Sequence, residues 1–333
     1  MSSAVASTRR RRGGSHRLAG LGAYLRRRLI ASVMTLLVST FLVFSSLYLA
    51  GDPITALSRG RTIAPEMETA LREQYRLDDP FFLRYIAWLG DLLRGDLGNS
   101  LMYSDQVTNV IGQRMGVTFE LSVYAAAIIA VIGVGSGIIA GLRRGFADTA
   151  ILTSTTVLMA VPPFVTAIVL LGVFSVALGW FPTRGAGDGY PERIWYLTLP
   201  AVALAVASLS VVSRVTRTSV RQEMGREHVQ TAVSRGIPPG PTTRRHVIRN
   251  AMIPVTTVMG LTIASLIALT AIVEQAFGIN GLGSALVQAA SYNDFPVVQG
   301  IAVIYVLIFV VINTIIDVSY GLLDPRVRFG GGA

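Results

Sequence analysis

Long apolar runs alternate with shorter polar segments along most of the chain. A helix needs roughly 20 predominantly apolar residues to cross the hydrocarbon of a membrane, and six runs reach that length. They lie near Leu29–Ala50, Thr118–Leu142, Asp148–Leu178, Tyr196–Val215, Ala251–Val273 and Val297–Tyr320. Because a spanning helix satisfies its own backbone polar groups, the pattern predicts an all-α integral membrane protein with six transmembrane helices.

The distribution of arginine predicts the orientation of these helices. All 29 basic residues are arginine, and most lie before the first run, after the second and the sixth, or in the segment after the fourth. Basic loops stay on the cytoplasmic side of a membrane, so both termini are predicted to be cytoplasmic. Membrane topology therefore explains the net charge of +10, and nothing points to a nucleic-acid partner.

The apolar runs divide the chain into four parts. Residues 1–23, rich in Arg, Ser and Gly, are predicted to be a disordered cytoplasmic tail, and residues 323–333 form a second cytoplasmic tail. Residues 24–117 hold the first span and an extracytoplasmic helical segment, and residues 118–322 hold the other five spans.

Three short helices are predicted within the extracytoplasmic segment. One starts near Pro65, a second covers Phe82–Leu93, and Ser104-Asp105 would cap a third. In the second helix Tyr85 and Trp88 share one side, which we expect to lie at the membrane interface. The segment would receive a partner, cover the outer ends of the helix bundle, or do both.

The polar segment Arg221–Pro254 separates the fourth and fifth runs. Within it Val229, Ala232 and Val233 follow at i, i+3 and i+4, so a short helix would be apolar on one side. Gly236 and the prolines after it end this helix after roughly two to three turns, too few for stability alone in water. A solvated basic loop would explain the arginines but not the apolar side, which predicts that the helix docks into something.

Four short motifs in this segment resemble the EAA loop of ABC importer permeases. They are Thr231-Ala232, Arg235-Gly236, His246 and Arg249-Asn250-Ala251, while Gln230-Thr231-Ala232 stand where that family has Glu-Ala-Ala. The resemblance implies a coupling loop at 221–250 whose helix seats in a groove of an ATPase subunit. The coupling residues that it assigns are Glu227, Val229, Thr231, Ala232, Val233, Arg235 and Gly236.

Further motifs from about Tyr24 to Phe329 resemble the dipeptide/oligopeptide/nickel permease family. They include Gly51-Asp52-Pro53, Leu77-Asp78-Asp79-Pro80, Arg94-Gly95-Asp96-Leu97-Gly98, Gly281-Leu282-Gly283 and Leu323-Asp324-Pro325-Arg326. The resemblance implies a type I ABC importer transmembrane domain over 118–322 in a bacterial cytoplasmic membrane. It implies a permease that forms half of a translocation pathway with a second, related permease.

The same resemblance implies the remaining partners and the solute. Two ATPase subunits, or one fused ATPase, would bind ATP and Mg. An extracytoplasmic binding protein would deliver di- or oligopeptides to the outer face. Nickel chelates, glutathione and haem are the alternative solutes.

Residues that other mechanisms need are absent from the sequence. Without lysine there is no P-loop, so any ATP must be hydrolysed by another subunit. Without cysteine there is no thiolate site, and His16, His228 and His246 lack the spacing of a metalloprotease helix. The centres of the six runs hold no ionisable residue, which disfavours an ion-coupled secondary transporter. The chain is therefore predicted to be non-catalytic, with no cofactor or metal of its own, and a secondary transporter or a channel is the less favoured alternative.

Two features within the runs indicate where a pathway would lie. Pro162-Pro163 interrupt the third run and predict a kink or break, which would act as a hinge, line a cavity or only bend a packed helix. A mildly polar stripe in the fifth run is expected to face the pathway, and its members are Gly260, Thr262, Ser265 and Thr270. Glycines in the second run, such as Gly137 and Gly141, predict close helix packing.

Overall fold

The computed structural model describes residues 8–49, 64–74 and 76–323, which are almost entirely helical. The helices are α1 (Thr8–Leu49), α2 (Pro65–Gln74), α3 (Phe81–Leu93), α4 (Val107–Ile128), α5 (Val134–Leu142), α6 (Phe146–Ala160), α7 (Pro163–Leu170), α8 (Glu192–Met224), α9 (Glu227–Ser234), α10 (Pro239–Thr242), α11 (Arg249–Ala276), α12 (Leu282–Ser291) and α13 (Phe295–Leu323). Short π-helical segments join α4 to α5 (Ile129–Gly133), extend α7 (Leu171–Ala177) and join α10 to α11 (Thr243–Ile248). The strands β1 (Asn99–Ser100) and β2 (Asp105–Gln106) pair antiparallel, with Asn99 opposite Gln106.

Five helical stretches are long and apolar enough to cross a membrane. They are Arg26–Ser46, Val107–Leu142, Glu192–Met224, Pro239–Ala276 and Phe295–Ile316. A sixth crossing forms if Phe146–Ala160 and Pro163–Ala177 count as one span, bent by 99°. The predicted all-α membrane fold is therefore confirmed, with one span broken.

Several predicted boundaries differ from the structure. Helix α1 starts at Thr8, so the part of the predicted disordered tail from residue 8 onward is helical, while residues 1–7 and 324–333 lie outside the described residues. The predicted third outer helix is not separate, because α4 starts at Val107 and continues into the second span. The boundary predicted between residues 117 and 118 thus falls inside α4.

The break in the third span lies at its two prolines. Pro162 precedes α7 and Pro163 is its first residue, while Val161 is extended. Proline lacks a backbone N–H and disfavours helix in the residue before it, so the pair ends α6 and starts a new helix in a different direction. The predicted break is present, with a bend far larger than a packing kink.

Helix α8 is the centre of the bundle and packs against α4, α5, α6, α7 and α11. A side chain at Gly137 on α5 would lie 2.5 Å from both the Ser213 carbonyl oxygen and Thr216 Cβ, and one at Gly141 would lie 2.7 Å from Val220 Cβ. These glycines let α5 lie directly against α8, as expected of small residues at helix interfaces in lipid.

The predicted interfacial side of α3 packs on the protein instead. Tyr85 and Trp88 each lie 5.5 Å from the ring of Phe44 on α1, measured between ring centroids. The opposite side of α3 carries exposed apolar residues, among them Leu83 at 58% exposure. Helix α3 is therefore apolar on two sides, and only the side bearing Leu83 is left for a membrane interface.

An apolar core at the outer end of the bundle joins α4, α12 and α13. We call this group the outer block; its buried residues are Val107, Val110, Ile111, Leu282, Ala285, Ala289, Val297 and Ile301. Gly300 on α13 lies directly against Val107, where a side chain would come within 2.8 Å of Cγ1. The outer block thus combines helices from both ends of the sequence.

Candidate functional site

The short helix predicted in the cytoplasmic segment is α9, and it has the predicted limits. It begins at Glu227, after the extended residue Arg226, and ends at Ser234. Gly236 has φ +76°, a conformation that glycine adopts without strain, and its N–H donates to the Val233 carbonyl at 2.9 Å. The N–H of Ile237 closes the helix end by donating to the Ala232 carbonyl at 3.2 Å.

The apolar side of α9 packs within the chain. Val229 and Ala232 are only 6% and 5% exposed. Val229 belongs to an apolar cluster with Val220 at the end of α8, Val247 in the π-helical segment before α11 and Ala251 at the start of α11, and Ile138 and Leu142 of α5 pack against it. The expectation that this side docks on another protein is therefore wrong for Val229 and Ala232. Their burial supplies the tertiary packing that so short a helix needs.

The other predicted coupling residues face outward from α9. Glu227, Thr231, Val233, Arg235 and Gly236 are all exposed, and Val233 has 61% of its surface accessible. Five of the seven predicted residues therefore form an outward surface, and the other two seat the helix from beneath.

Polar contacts hold α9 to its neighbours through Glu223, a buried residue near the end of α8. Its carboxylate accepts from Arg226 Nε at 3.1 Å and Asn250 Nδ2 at 3.2 Å, and His228 Nε2 lies 3.1 Å from Oε1. Asn250 also donates to the His246 carbonyl at 2.9 Å. Sequence reasoning missed this anchor, although the i, i+3 spacing of Glu223 and Arg226 was a visible signal for one of its contacts.

A second ionic contact joins α8 to α6. Asp148 accepts from Arg217 Nε at 2.5 Å and Nη2 at 2.8 Å, and from Arg221 Nη2 at 2.6 Å. Two-point pairing between a guanidinium and a carboxylate is strongly directional, so it sets how α6 sits on α8.

The continuous helical stretch Pro239–Ala276, which includes α10 and α11, runs from the neighbourhood of α9 to the outer block. The polar stripe predicted on it does not form one exposed side. Gly260 lies against Ile316 of α13, where any side chain would overlap it, and Thr262 and Thr270 are buried. Only Ser265 of the four is exposed, so the expectation of a pathway-facing stripe is wrong for the other three.

At its outer end α11 carries a fully buried carboxylate. Glu274 is 0% exposed and accepts from Thr118 Oγ1 at 2.7 Å and from the Ser284 N–H at 2.9 Å. Thr118 in turn accepts from the Leu282 N–H at 2.8 Å. The carboxylate therefore lies at the positive end of α12 and ties α4, α11 and α12 together.

The structure buries Asp294 as well as Glu274. Asp294 precedes α13 and accepts from Ser100 Oγ at 2.6 Å and from the Met102 N–H at 3.0 Å. It holds the hairpin of β1 and β2 against the outer block. Both burials depend on contacts more than a hundred residues apart in the sequence, which no local pattern encodes.

Residues 133–329 match the family described as "Binding-protein-dependent transport system inner membrane component", and residues 21–122 match its N-terminal counterpart. A probable peptide ABC transporter permease protein of Sinorhizobium fredii is 31% identical over 93% of this chain and 100% of its own length. The dipeptide transport system permease protein of Bacillus subtilis is 33% identical over 92% of this chain and 98% of its own length.

Solved structures show a similar fold. A chain of the MetNI methionine ABC transporter in an inward-facing conformation superposes with a TM-score of 0.54, covers 65% of this chain and 96% of its own length, and is 16% identical. A chain from an amino acid ABC transporter with histidines gives a TM-score of 0.53 at 18% identity, covering 65% of this chain and 94% of its own. At these identities the likeness concerns the fold.

Proposed function

Because the chain belongs to the family of binding-protein-dependent transport system inner membrane components, we propose that it forms half of the transport pathway of an ATP-driven importer of short peptides. As a member of that family it is a multi-pass, non-catalytic subunit of the cytoplasmic membrane. The peptide class is supported by the names of the two relatives above, a peptide permease and a dipeptide permease. Neither name refers to nickel chelates, glutathione or haem, the alternative solutes.

The observation that carries the proposal is the seating of α9. Its inner side is fixed to α8, α5 and the start of α11 through Val229, Ala232 on the same side is buried as well, and its outer side presents Val233 beside charged and polar residues. A groove in an ATPase subunit would grip that outer side. Since α9 rests on α8 and α11, any displacement of α9 moves the ends of two spanning helices.

Movement would reach the outer face through α11. Its start shares the apolar cluster with α9, and its end is tied by Glu274 to α4 and α12. Rigid helices joined in this way transmit a cytoplasmic closure as a rotation of whole elements. Two ATPase subunits acting on this chain and on a second, related permease would alternate the pathway between its two sides.

The outer face offers a surface on which a binding protein would deliver the solute. A cavity of about 240 Å³ opens there between α1, α3 and α13. Its charged and amide side chains include Arg76, Arg84, Asp91, Asp96 and Gln299. Mixed charge suits recognition of another protein surface, because complementary charges steer encounter and register.

The experiment is ATP-dependent uptake of a labelled dipeptide by the complete transporter reconstituted in liposomes. Val233→Ser should weaken ATPase association by about tenfold, the scale of losing one exposed anchor. Val38→Ser, at an apolar position of α1 that is 52% exposed, is the matched control and should leave association unchanged. Uptake that persists without the ATPase subunits would contradict the proposal, as would purification of the chain with no ATPase bound.

A further inference from the structure

Three arginines on α8 face the same side of the helix, and among the residues that the structure describes two of them have an acidic partner. Arg214, Arg217 and Arg221 follow at i, i+3 and i+7, which places them on one side of a helix. Asp148 accepts from both Arg217 and Arg221. One carboxylate thus serves the two arginines nearer the cytoplasmic end of α8.

Arg214 is held differently, although it reaches the same neighbouring helix. Its Nη2 donates to the neutral hydroxyl of Thr156 on α6 at 2.5 Å. Its Nε is buried and has no hydrogen-bond acceptor among the described residues. No carboxylate whose side chain the structure describes pairs with Arg214. A guanidinium has five N–H donors in a planar fork that matches an oxyanion, and among the described residues only the Nη2 of Arg214 has an acceptor.

Arg214 lies close to the break in the third span. Thr156 lies in the last turns of α6, shortly before the break at Val161 where the third span bends by 99°. Non-helical backbone at membrane depth is tolerated only where it is covered by protein or lines a water-filled cavity. An ionisable side chain within a membrane span, next to such a break, is by default a functional site whose partner should be named.

We propose that Arg214 binds an oxyanion, a carboxylate or a phosphate, in the angle between α8 and the broken span. The donor geometry fits both chemistries equally, since each presents two oxygens to the fork of the guanidinium. The C-terminal carboxylate of a transported peptide is one source, and this source rests on the proposed function. The phosphate of an anionic phospholipid is the other source and does not depend on it.

The test uses the complete transporter reconstituted in nanodiscs with Arg214→Gln, Arg214→Lys and the control Arg144→Gln. Arg144 is exposed and precedes α6, so its replacement removes the same charge on the same side of the membrane. One arm compares ATP-dependent transport of a dipeptide with that of its C-terminal amide. The second arm compares neutral lipid with lipid containing phosphatidylglycerol, and native mass spectrometry counts the phosphatidylglycerol that stays bound.

If the oxyanion is the peptide carboxylate, Arg214→Gln should lower transport of the free dipeptide by roughly tenfold and spare the amide, with partial rescue by Arg214→Lys. If it is a lipid phosphate, Arg214→Gln should release bound phosphatidylglycerol, and Arg144→Gln should not. Equal effects on both peptides together with unchanged lipid retention would overturn the proposal. A wild-type complex that moves no peptide refutes the proposed function, while the lipid arm still reports on Arg214.

Discussion

A buried carboxylate lies at each end of the path that α11 forms, and the two differ in their donors. Glu274 at the outer end accepts from the Thr118 hydroxyl and from the Ser284 backbone N–H. Glu223 at the cytoplasmic end is contacted by the side chains of Arg226, His228 and Asn250. The outer donors cannot move without moving helices, whereas the cytoplasmic donors sit on flexible side chains.

Packing shows the same contrast. At the outer end a side chain on Gly281 would overlap the Glu274 carboxylate, and one on Gly283 would overlap the backbone of Ala271. At Gly236, beside α9, nothing lies within 4 Å of an added Cβ, and only the positive φ requires glycine there. The outer end is therefore a close-packed unit, and the cytoplasmic end is a helix resting on a small apolar seat. The proposed coupling needs both properties. The outer end must stay rigid, and the cytoplasmic end must present a surface that a partner protein can bind.

The largest expected effect comes from removing the outer carboxylate. Glu274→Ala leaves the Thr118 hydroxyl and the Ser284 N–H unpaired and opens a cavity, so we expect a loss of about 4 kcal/mol in the free energy of unfolding. Glu223→Ala should cost only about 1–2 kcal/mol, because its exposed donors can turn to water. Thermal unfolding of the purified protein in detergent measures both. Equal losses of unfolding free energy in Glu274→Ala and Glu223→Ala would contradict the proposed difference in rigidity between the two ends.

A functional effect without loss of fold is expected at the seat of α9. Ala232→Glu places a carboxylate at a position that is only 5% exposed, which costs about 3 kcal/mol locally and should displace α9. Uptake should then stop while ATP turnover continues, and the spans should still insert. Gln222→Glu adds the same charge at an exposed position near the end of α8, outside the predicted coupling residues, and serves as the control for burial. Normal uptake by Ala232→Glu would show that the seat is not needed for coupling.

The smallest expected effect concerns Tyr103, which packs against the outer block. Burial raises the pKa of the Tyr103 phenol, and the phenol donates to Gln288 Oε1 at 3.4 Å. A raised folded-state pKa means that the stability contributed by the neutral phenol is fully present below the unfolded pKa of about 10 and is lost as pH rises beyond it. Tyr103→Phe should therefore cost about 0.5 kcal/mol, constant from pH 6 to 9. If the difference in unfolding free energy between the wild type and Tyr103→Phe changed between pH 6 and 9, the phenol could not be neutral throughout that range.

Prediction from the sequence succeeded where the signal is local. The break at Pro162-Pro163 follows from the covalent structure of proline, and the limits of α9 follow from Glu227, Gly236 and the prolines after it. Prediction failed where the outcome depends on which helix packs against a given side of another. The sequence correctly showed that one side of α9 is apolar and buried, but it packs within the chain and not on another protein. Periodicity shows that a side is buried and does not show what covers it. The stripe on α11 failed for the same reason, since Gly260 meets Ile316 from a helix about fifty residues away.

The sequence by itself determined the membrane topology, the orientation and the position of the cytoplasmic helix, because apolar run length, arginine placement and turn residues act over a few residues each. Only the tertiary structure decided that Val229 and Ala232 face inward, that Glu274 is buried, and that, within the described part of the chain, Arg217 meets a carboxylate and Arg214 does not. These outcomes require helices from distant parts of the chain to meet at defined angles. The hydrogen bonds that result exist only once those helices have packed.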